Sequence, residues 1–337
     1  MSFEACCSGG FIRRVSRKTL KTNTLAHSAD ESAATRFSIH SDINLNKLTM
    51  AKFQPDYKYL NEFIEQALWE DVHEGDVTGL ACIPNDKRDR AVLKIKADGI
   101  LAGVELAEMI FKKVDPSVSI TFFKKDGDVM HFGDKAFEVE CNTQALLKAE
   151  RLVLNTMQRM SGIATMSRHY ADTVRDLNVK ILDTRKTTPL IRHLEKWAVK
   201  IGGCENYRIG LYDWFMIKDN HTDACGSITK AIEKVVAYKK ANPSVSGFGV
   251  TVEVRNLAEL QEAMAAGNVT RIMLDNFTTA MMRKAVVIVN KQFEVEASGG
   301  VTLKNLRRIA QTGVDYISSG ALTHSVSSLD LSLKVIK

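Results

Sequence analysis

Residues 248–298 read FGVTVEVRNLAELQEAMAAGNVTRIMLDNFTTAMMRKAVVIVNKQFEVEAS. Three β-rich runs stand out, at 248–254, 271–274 and 293–297, each too short and too branched for a helix. Between them, 257–265 and 279–289 carry apolar residues at helical spacing. Strand, helix, strand, repeated, predicts parallel pairing through right-handed crossovers, and therefore an α/β barrel or a doubly wound sheet.

Working outward, the same grammar gives strands at 179–182, 214–217 and 315–317 and helices at 227–239 and 303–310. Polar residues close the strands: Asp183, Lys218, Glu253, Asp275, Ser298 and Ser319. The last four are separated by 22, 23 and 21 residues, each the length of one βα unit. A barrel collects such groups at its C-terminal mouth from every strand, whereas a doubly wound sheet collects them at one crevice. Four or more contributing strands favour the barrel.

Upstream the pattern changes. Leu60, Phe63, Ile64, Ala67 and Leu68 predict a helix over 57–69, and 104–114 predicts another. Strands are expected at 91–97, 119–124 and 135–141, with a turn at Lys125-Asp126-Gly127-Asp128, so this part is a small α+β domain. A long helix follows from about 143 to 160, punctuated by Ser161-Gly162. The expected division is 1–52, 53–165 and 166–337, with the last residues returning to the middle segment. Residues 1–52 are rich in Ser, Thr, Ala and Asn and carry Arg13, Arg14, Arg17, Lys18 and Lys21 against Glu4. They read as an extension outside the folded core. Asp30, Glu31 and Asp42 interrupt the acid-poor pattern of a transit peptide, so the cytoplasm is the expected location and organelle targeting the less favoured one.

The chain has 337 residues, 45% hydrophobic and 26% charged, which is the composition of a globular protein and excludes global disorder. Lys or Arg interrupts every apolar run before it reaches the roughly 18 residues a membrane-spanning helix needs. Six cysteines without a C-x-x-C pair signal neither disulfide framework nor structural zinc. The net charge of +6 is spread among 40 acidic residues, so no nucleic-acid partner is expected. A local basic pocket for an acidic small molecule explains it better.

The candidate chemistry sits at the strand ends. Asp183-Thr184-Arg185-Lys186-Thr187-Thr188-Pro189 sets two cations beside hydroxyls. A guanidinium grips a carboxylate or phosphate with two bonds and an ammonium acts as a point charge, which suits an anion. A solvated turn would suit an isolated Arg-Lys pair, but this pair has company. Arg208 follows Gly202-Gly203, and Lys218 closes the apolar run Trp214-Phe215-Met216-Ile217, where its charge needs a partner such as Asp219 or Asp213. His221, beside Asn220, reads better as a structural hydrogen-bonding residue than as a base. Glu253 and Asp275 suit Mg²⁺, ribose hydroxyls or helix capping. Ser298-Gly299-Gly300 and Ser319-Gly320 follow the last two strands, where backbone N–H groups approach a phosphate. Together they predict an anionic small molecule meeting a phosphorylated sugar.

From about Tyr57 to Leu333 the sequence closely resembles the quinolinate phosphoribosyltransferase family, the carboxylating nicotinate-nucleotide pyrophosphorylases. The resemblance is carried by Glu70-Asp71, Gly75-Asp76-Val77-Thr78, Ala149-Glu150-Arg151, Leu154-Asn155, Ser161 to Thr165, Asp183 to Pro189, Glu195-Lys196, Ala198-Val199, Ile217 to His221, Leu274-Asp275-Asn276, Ala297 to Gly300 and Gly320 to Ser325. It implies an α/β fold of the type II phosphoribosyltransferase kind: an N-terminal α/β sandwich, then an incomplete, seven-stranded α/β barrel. The family resemblance further implies a homodimer, with Arg151 offered across the interface and higher assembly open. Arg185, Lys186, Arg208 and Lys218 match the family's basic pocket for quinolinate and phosphoribosyl pyrophosphate. Glu253 and Asp275 match the acids near ribose and Mg²⁺, and Ser298, Gly299, Gly300, Ser319 and Gly320 the phosphate loops. Glu253, Asp275 and Lys186 are the catalytic candidates. The implied reaction turns quinolinate and phosphoribosyl pyrophosphate into nicotinate mononucleotide, pyrophosphate and CO2, a step of NAD biosynthesis.

Two positions depart from the family pattern: Tyr207 stands where a histidine is common, and Leu190 where the usual Thr-Thr-Pro-Gly has glycine. Tyrosine is neutral at pH 7, so one potential charge facing a carboxylate is missing. Tyr207 keeps open a related pyrophosphorylase-like paralogue, of the molybdenum-transport-linked kind, acting on another acid. A non-catalytic phosphate-binding protein is the alternative from another class.

Overall fold

The computed structural model describes residues 55–336. The extension read over 1–52 lies outside the described residues. The first element of the described residues is α1, Tyr57–Val72, whose first amides are capped by the Asp56 carboxylate at 3.1 Å and whose inner face buries Leu60 and Ile64. A short helix, α2 (Val77–Cys82), leads to β1 (Arg88–Ile95) and β2 (Gly99–Ile100). Then come α3 (Val104–Val114), β3 (Ser119–Phe122), β4 (Val129–Met130) and β5 (Lys135–Asn142).

The next element, α4, runs unbroken from Thr143 to Thr173. The interruption expected at Ser161-Gly162 does not occur, because both residues face neighbouring chain. Ser161 Oγ accepts from the Ala102 amide at 3.0 Å. A Cβ at Gly162 would overlap the carbonyl oxygen of Ser327, so this glycine is a place of close approach rather than a helix stop.

Beyond α4 the strands and helices alternate: β6 (Lys180–Leu182), α5 (Arg192–Ile201), β7 (Phe215–Ile217), α6 (Asp219–Cys225), α7 (Ile228–Ala241), β8 (Val250–Val254), α8 (Leu257–Ala266), β9 (Arg271–Asp275), α9 (Thr279–Val289), β10 (Glu294–Ser298), α10 (Leu303–Ala310), β11 (Tyr316–Ser318) and α11 (Ala321–His324). The final strand, β12, spans Leu331–Ile336. Strands β6 to β11 form one parallel sheet in the order β6-β11-β10-β9-β8-β7. All of β8 is buried, as a parallel strand covered on both faces requires.

Seven strands were expected and six are regular. The seventh position is a single parallel bridge between Leu182 and Glu205, made by Glu205 N–H to Ile181 O at 2.8 Å and Asp183 N–H to Glu205 O at 3.1 Å. The Glu205 segment and β7 share no ladder, so the barrel is open between them. A second sheet is antiparallel, in the order β12-β1-β5-β3, with α4 against it, and β2 and β4 form a separate antiparallel pair. One apolar core runs through both parts, from Leu60 to Leu333.

The barrel interior is partly polar. Arg271, 1% exposed, lies over the Tyr316 ring at 3.6 Å and binds Glu294 at 2.9 Å and Glu296 at 3.2 Å. Burying the Arg271 and Glu296 charges is tolerable because each faces the other, with the partly exposed Glu294 on the far side of the guanidinium.

Candidate active site

The C-terminal ends of the parallel strands open onto two adjoining cavities. One, of about 630 Å³, is lined by Arg185, Lys186, Tyr207, Arg208, Lys218, Glu253 and Asp275, with Ser298 to Gly300 at its edge. The other, of about 610 Å³, is lined by Ser319, Gly320, Lys304, His324 and Ser325, and shares Lys186 and Ser298 to Gly300 with the first. Of the residues singled out for the site, all but Arg151 and the strand-end Asp183 line one cavity or both. Arg151 is exposed on α4 and lines neither.

Lys218 follows β7 and finds its partner across the sheet, not in sequence: its Nζ lies 3.0 Å from Glu253 Oε2. Asp219 and Asp213, the neighbours considered from sequence, do not pair with it. Asp213 instead accepts from the amides of Ile209 at 2.7 Å and Gly210 at 3.0 Å, shaping the loop that carries Arg208. Arg208 donates to the Trp214 carbonyl at 3.2 Å. Burial, and then the charge of Arg185, lower its pKa. Two guanidiniums that repel one another mark a space shaped for an anion.

Asp275 ends β9 and accepts from Asn276 Nδ2 at 2.9 Å. Asn276 has φ of +55°, and a Cβ on Gly299, itself at φ +94°, would overlap its side chain. Only glycine at 299 lets these two strand ends approach. Glu253 and Asp275 are the carboxylates facing the reaction space beside Asp219. Among the described residues no three His, Cys, Asp or Glu side chains converge as a metal cage. Mg²⁺ takes one or two carboxylates and completes its shell with phosphate and water, so the Glu253 and Asp275 pair fits an ion that arrives on a phosphorylated substrate.

Tyr207 differs from its expected role. It lines the cavity, but its hydroxyl is turned into the barrel, 2.6 Å from Thr251 Oγ1, and its pKa is pushed up by burial and then by Glu296. What it offers the cavity is shape rather than a polar group. Asp183, at a strand end, is also not a rim group. It is fully buried, paired with Lys196 and bonded by Asn206 Nδ2 at 2.6 Å and the Tyr207 amide at 2.8 Å. Burial pushes its pKa up and that of Lys196 down, which is the desolvation cost of an interior pair. Thr184, read with its run as suited to an anion, lines both cavities, and Asn276, Lys304 and His324 line them without having been given a role from sequence. His324 follows Gly320 by four residues, a helical turn that could have betrayed it.

A strand-end cluster of four cations and two acids, beside a second cavity walled by glycine and serine loops, defines an α/β-barrel enzyme for polyanionic substrates. Residues 163–334 match the family model described as quinolinate phosphoribosyl transferase, C-terminal domain, and residues 76–161 the N-terminal domain of the same family. The chain belongs to the quinolinate phosphoribosyltransferase family. It is 47% identical over 291 residues to mitochondrial quinolinate phosphoribosyltransferase [decarboxylating] 2b of Nicotiana tabacum, covering 82% of each chain. It is 48% identical over 292 residues to the chloroplastic nicotinate-nucleotide pyrophosphorylase [carboxylating] of Arabidopsis thaliana, again with 82% of each covered. Among solved structures, NadC from Streptococcus pyogenes superposes with a TM-score of 0.78 at 37% identity, covering 85% of this chain and all of that one.

Proposed function

We infer that this chain is a quinolinate phosphoribosyltransferase, a pentosyltransferase that makes nicotinate mononucleotide from quinolinate and phosphoribosyl pyrophosphate in NAD biosynthesis. The observation that carries this reading, beside family membership, is that Lys186 and the Ser298 to Gly300 loop wall both cavities, so two anionic reactants meet over shared groups. The comparisons give no support to a molybdenum-transport-linked paralogue or to a non-catalytic protein.

The chemistry follows from the charges. Arg185, Arg208 and Lys218 bind the two quinolinate carboxylates and aim the ring nitrogen at the anomeric carbon. The nitrogen bonds to that carbon as the bond to pyrophosphate breaks. Glu253 and Asp275 stabilise the positive charge that develops on the ribose, and Lys186 stabilises the departing phosphates. Mg²⁺, the proposed cofactor, neutralises charge on the leaving pyrophosphate when bound. The alkylated ring then accepts the electron pair of the bond to the carboxylate at position 2, CO2 leaves, and a proton takes its place. Ser298, Gly299, Gly300, Ser319 and Gly320 hold the 5-phosphate. No protein nucleophile is needed.

The proposal includes a homodimer in which Arg151 completes the partner's site; this accounts for an exposed arginine that lines neither cavity of its own chain. It excludes nucleic acid as a partner. No helix among the described residues is long and apolar enough to cross a membrane. The cytoplasm remains the proposed location, although the tobacco and Arabidopsis relatives are mitochondrial and chloroplastic. Mass analysis of the N-terminus of protein from its native compartment decides that point, since a processed start in an organelle fraction would overturn it.

The test of function is product identification after incubation with quinolinate, phosphoribosyl pyrophosphate and Mg²⁺: nicotinate mononucleotide, pyrophosphate and CO2 in equal amounts are expected, and absence of nicotinate mononucleotide refutes it. Arg185→Ala and Lys218→Ala should each lower kcat/KM for quinolinate by about a hundredfold or more, with unfolding curves unchanged. Wild-type turnover in either would remove that residue from the pocket.

A further inference from the structure

We propose that Arg159 and Glu195 form a positioning pair that sets the two substrate stations against each other. Neither residue lines either cavity of the site. Glu195, in the first turn of α5, is wholly buried, yet both of its oxygens are occupied. Oε1 accepts from Arg159 Nε at 3.0 Å, from Arg159 Nη2 at 2.7 Å and from the Thr188 hydroxyl at 2.9 Å; Oε2 accepts from the Thr188 amide at 3.0 Å. The Arg159 guanidinium on α4 places two of its other hydrogens on carbonyls, Val326 at 2.9 Å and Thr323 at 2.5 Å. The Thr323 hydroxyl in turn donates to the Lys186 carbonyl at 2.8 Å.

These bonds close a circuit. The loop bearing Arg185 and Lys186 is held at 188 by Glu195 and at 186 by Thr323. The segment bearing His324 and Ser325, in the second cavity, is held on both sides, at 323 and 326, by Arg159. Burying the Glu195 carboxylate is costly unless its oxygens are matched, and here four donors, two of them on the partly exposed Arg159 guanidinium, hold it in one geometry. A site has to hold its groups to within about half an ångström, which such a supporting pair provides. Because one pair anchors both stations, a ligand that draws in one loop pre-orders the other, and binding at the two stations is coupled.

The proposal rests on the reading of the site as one for quinolinate and phosphoribosyl pyrophosphate. Its test uses phthalate, which keeps both carboxylates but has no ring nitrogen to react. The dissociation constant of phthalate is measured with and without saturating phosphoribosyl pyrophosphate and Mg²⁺, in wild type, Glu195→Gln and Thr323→Val. In wild type the donor should tighten phthalate about fivefold or more, and in both variants that ratio should fall toward one. Glu195→Gln removes the charge at nearly constant volume. Thr323→Val cuts the link to Lys186 and leaves the ion pair, so it decides the matter should Glu195→Gln not fold. A wild-type ratio in Thr323→Val and in folded Glu195→Gln, or no coupling in wild type that turns over quinolinate, would overturn the proposal. A merely structural role would lower the unfolding temperature and leave the ratio untouched. Wild type inert toward quinolinate would instead sink the functional reading, which separates the two failures.

Discussion

Leu190 occupies a left-handed conformation, φ +66°, in the loop that carries Arg185 and Lys186. Leucine pays about 1 kcal/mol or more for that conformation, and with 82% of its surface exposed it gains little packing in return. The loop keeps the shape because its neighbours dictate it: Tyr59 from α1 donates to the Leu190 carbonyl, and Arg192 binds the Thr187 hydroxyl at 2.9 Å and the Ile209 carbonyl at 3.0 Å. Leu190→Gly should therefore stabilise the protein by about 0.5–1 kcal/mol after allowing for the looser unfolded chain. Urea denaturation measures it, and a less stable variant would show that the exposed leucine makes a contact worth keeping. At this scale the sequence was legible where a charge closes an apolar run and faces the mouth, as at Lys218 and Asp275, though Asp183 at the same kind of position turned inward. It was illegible where charges lie inside. Glu195 and Lys196 look like the wet side of a helix, and both are fully buried. Tyr207 was legible as a departure, but which way its hydroxyl turns depends on Thr251, 44 residues away.

Among the elements, the strands of the parallel sheet were readable from short branched runs and their intervening helices from apolar spacing. Two were not. Helix α5 escaped notice because its inward face includes Glu195 and Lys196, which break the apolar pattern. Helix α4 was read as ending where it does not, since glycine at 162 serves contact with Ser327 and not termination. That contact yields a measurable expectation. Gly162→Ala adds helix propensity but forces α4 and the returning chain apart, so it should destabilise by about 1–3 kcal/mol, as overpacking does. Thermal or urea unfolding of the variant would reveal it. A stabilised Gly162→Ala would mean that the backbone at Ser327 yields freely and that the glycine is incidental.

For the whole molecule the sharpest expectation concerns Arg151. If it serves the partner's site, Arg151→Ala and Lys218→Ala subunits are each poorly active alone but complement when mixed. A mixed dimer contains one site with both groups intact and one with neither. Random mixing should restore about a quarter of wild-type activity. Purified mixtures carrying two different affinity tags give the measurement, and an inert mixture would assign Arg151 to its own subunit or to no site. The two-part layout was foreseeable from the change of grammar near residue 180, but the open side of the barrel was not. Glu205 contributes one bridge and no apolar run that could announce a strand.

The antiparallel sheet has a further consequence, for synthesis of the chain. Strand β1 pairs with β5 on one side, and residues 331–336 fill the other. Translation must pass residue 336 before that ladder can form. Until then β1 presents a bare row of amide and carbonyl groups, an edge to which any other nascent chain can add. A stop just before residue 331 would spare every group at the mouth and leave that edge permanently unpaired.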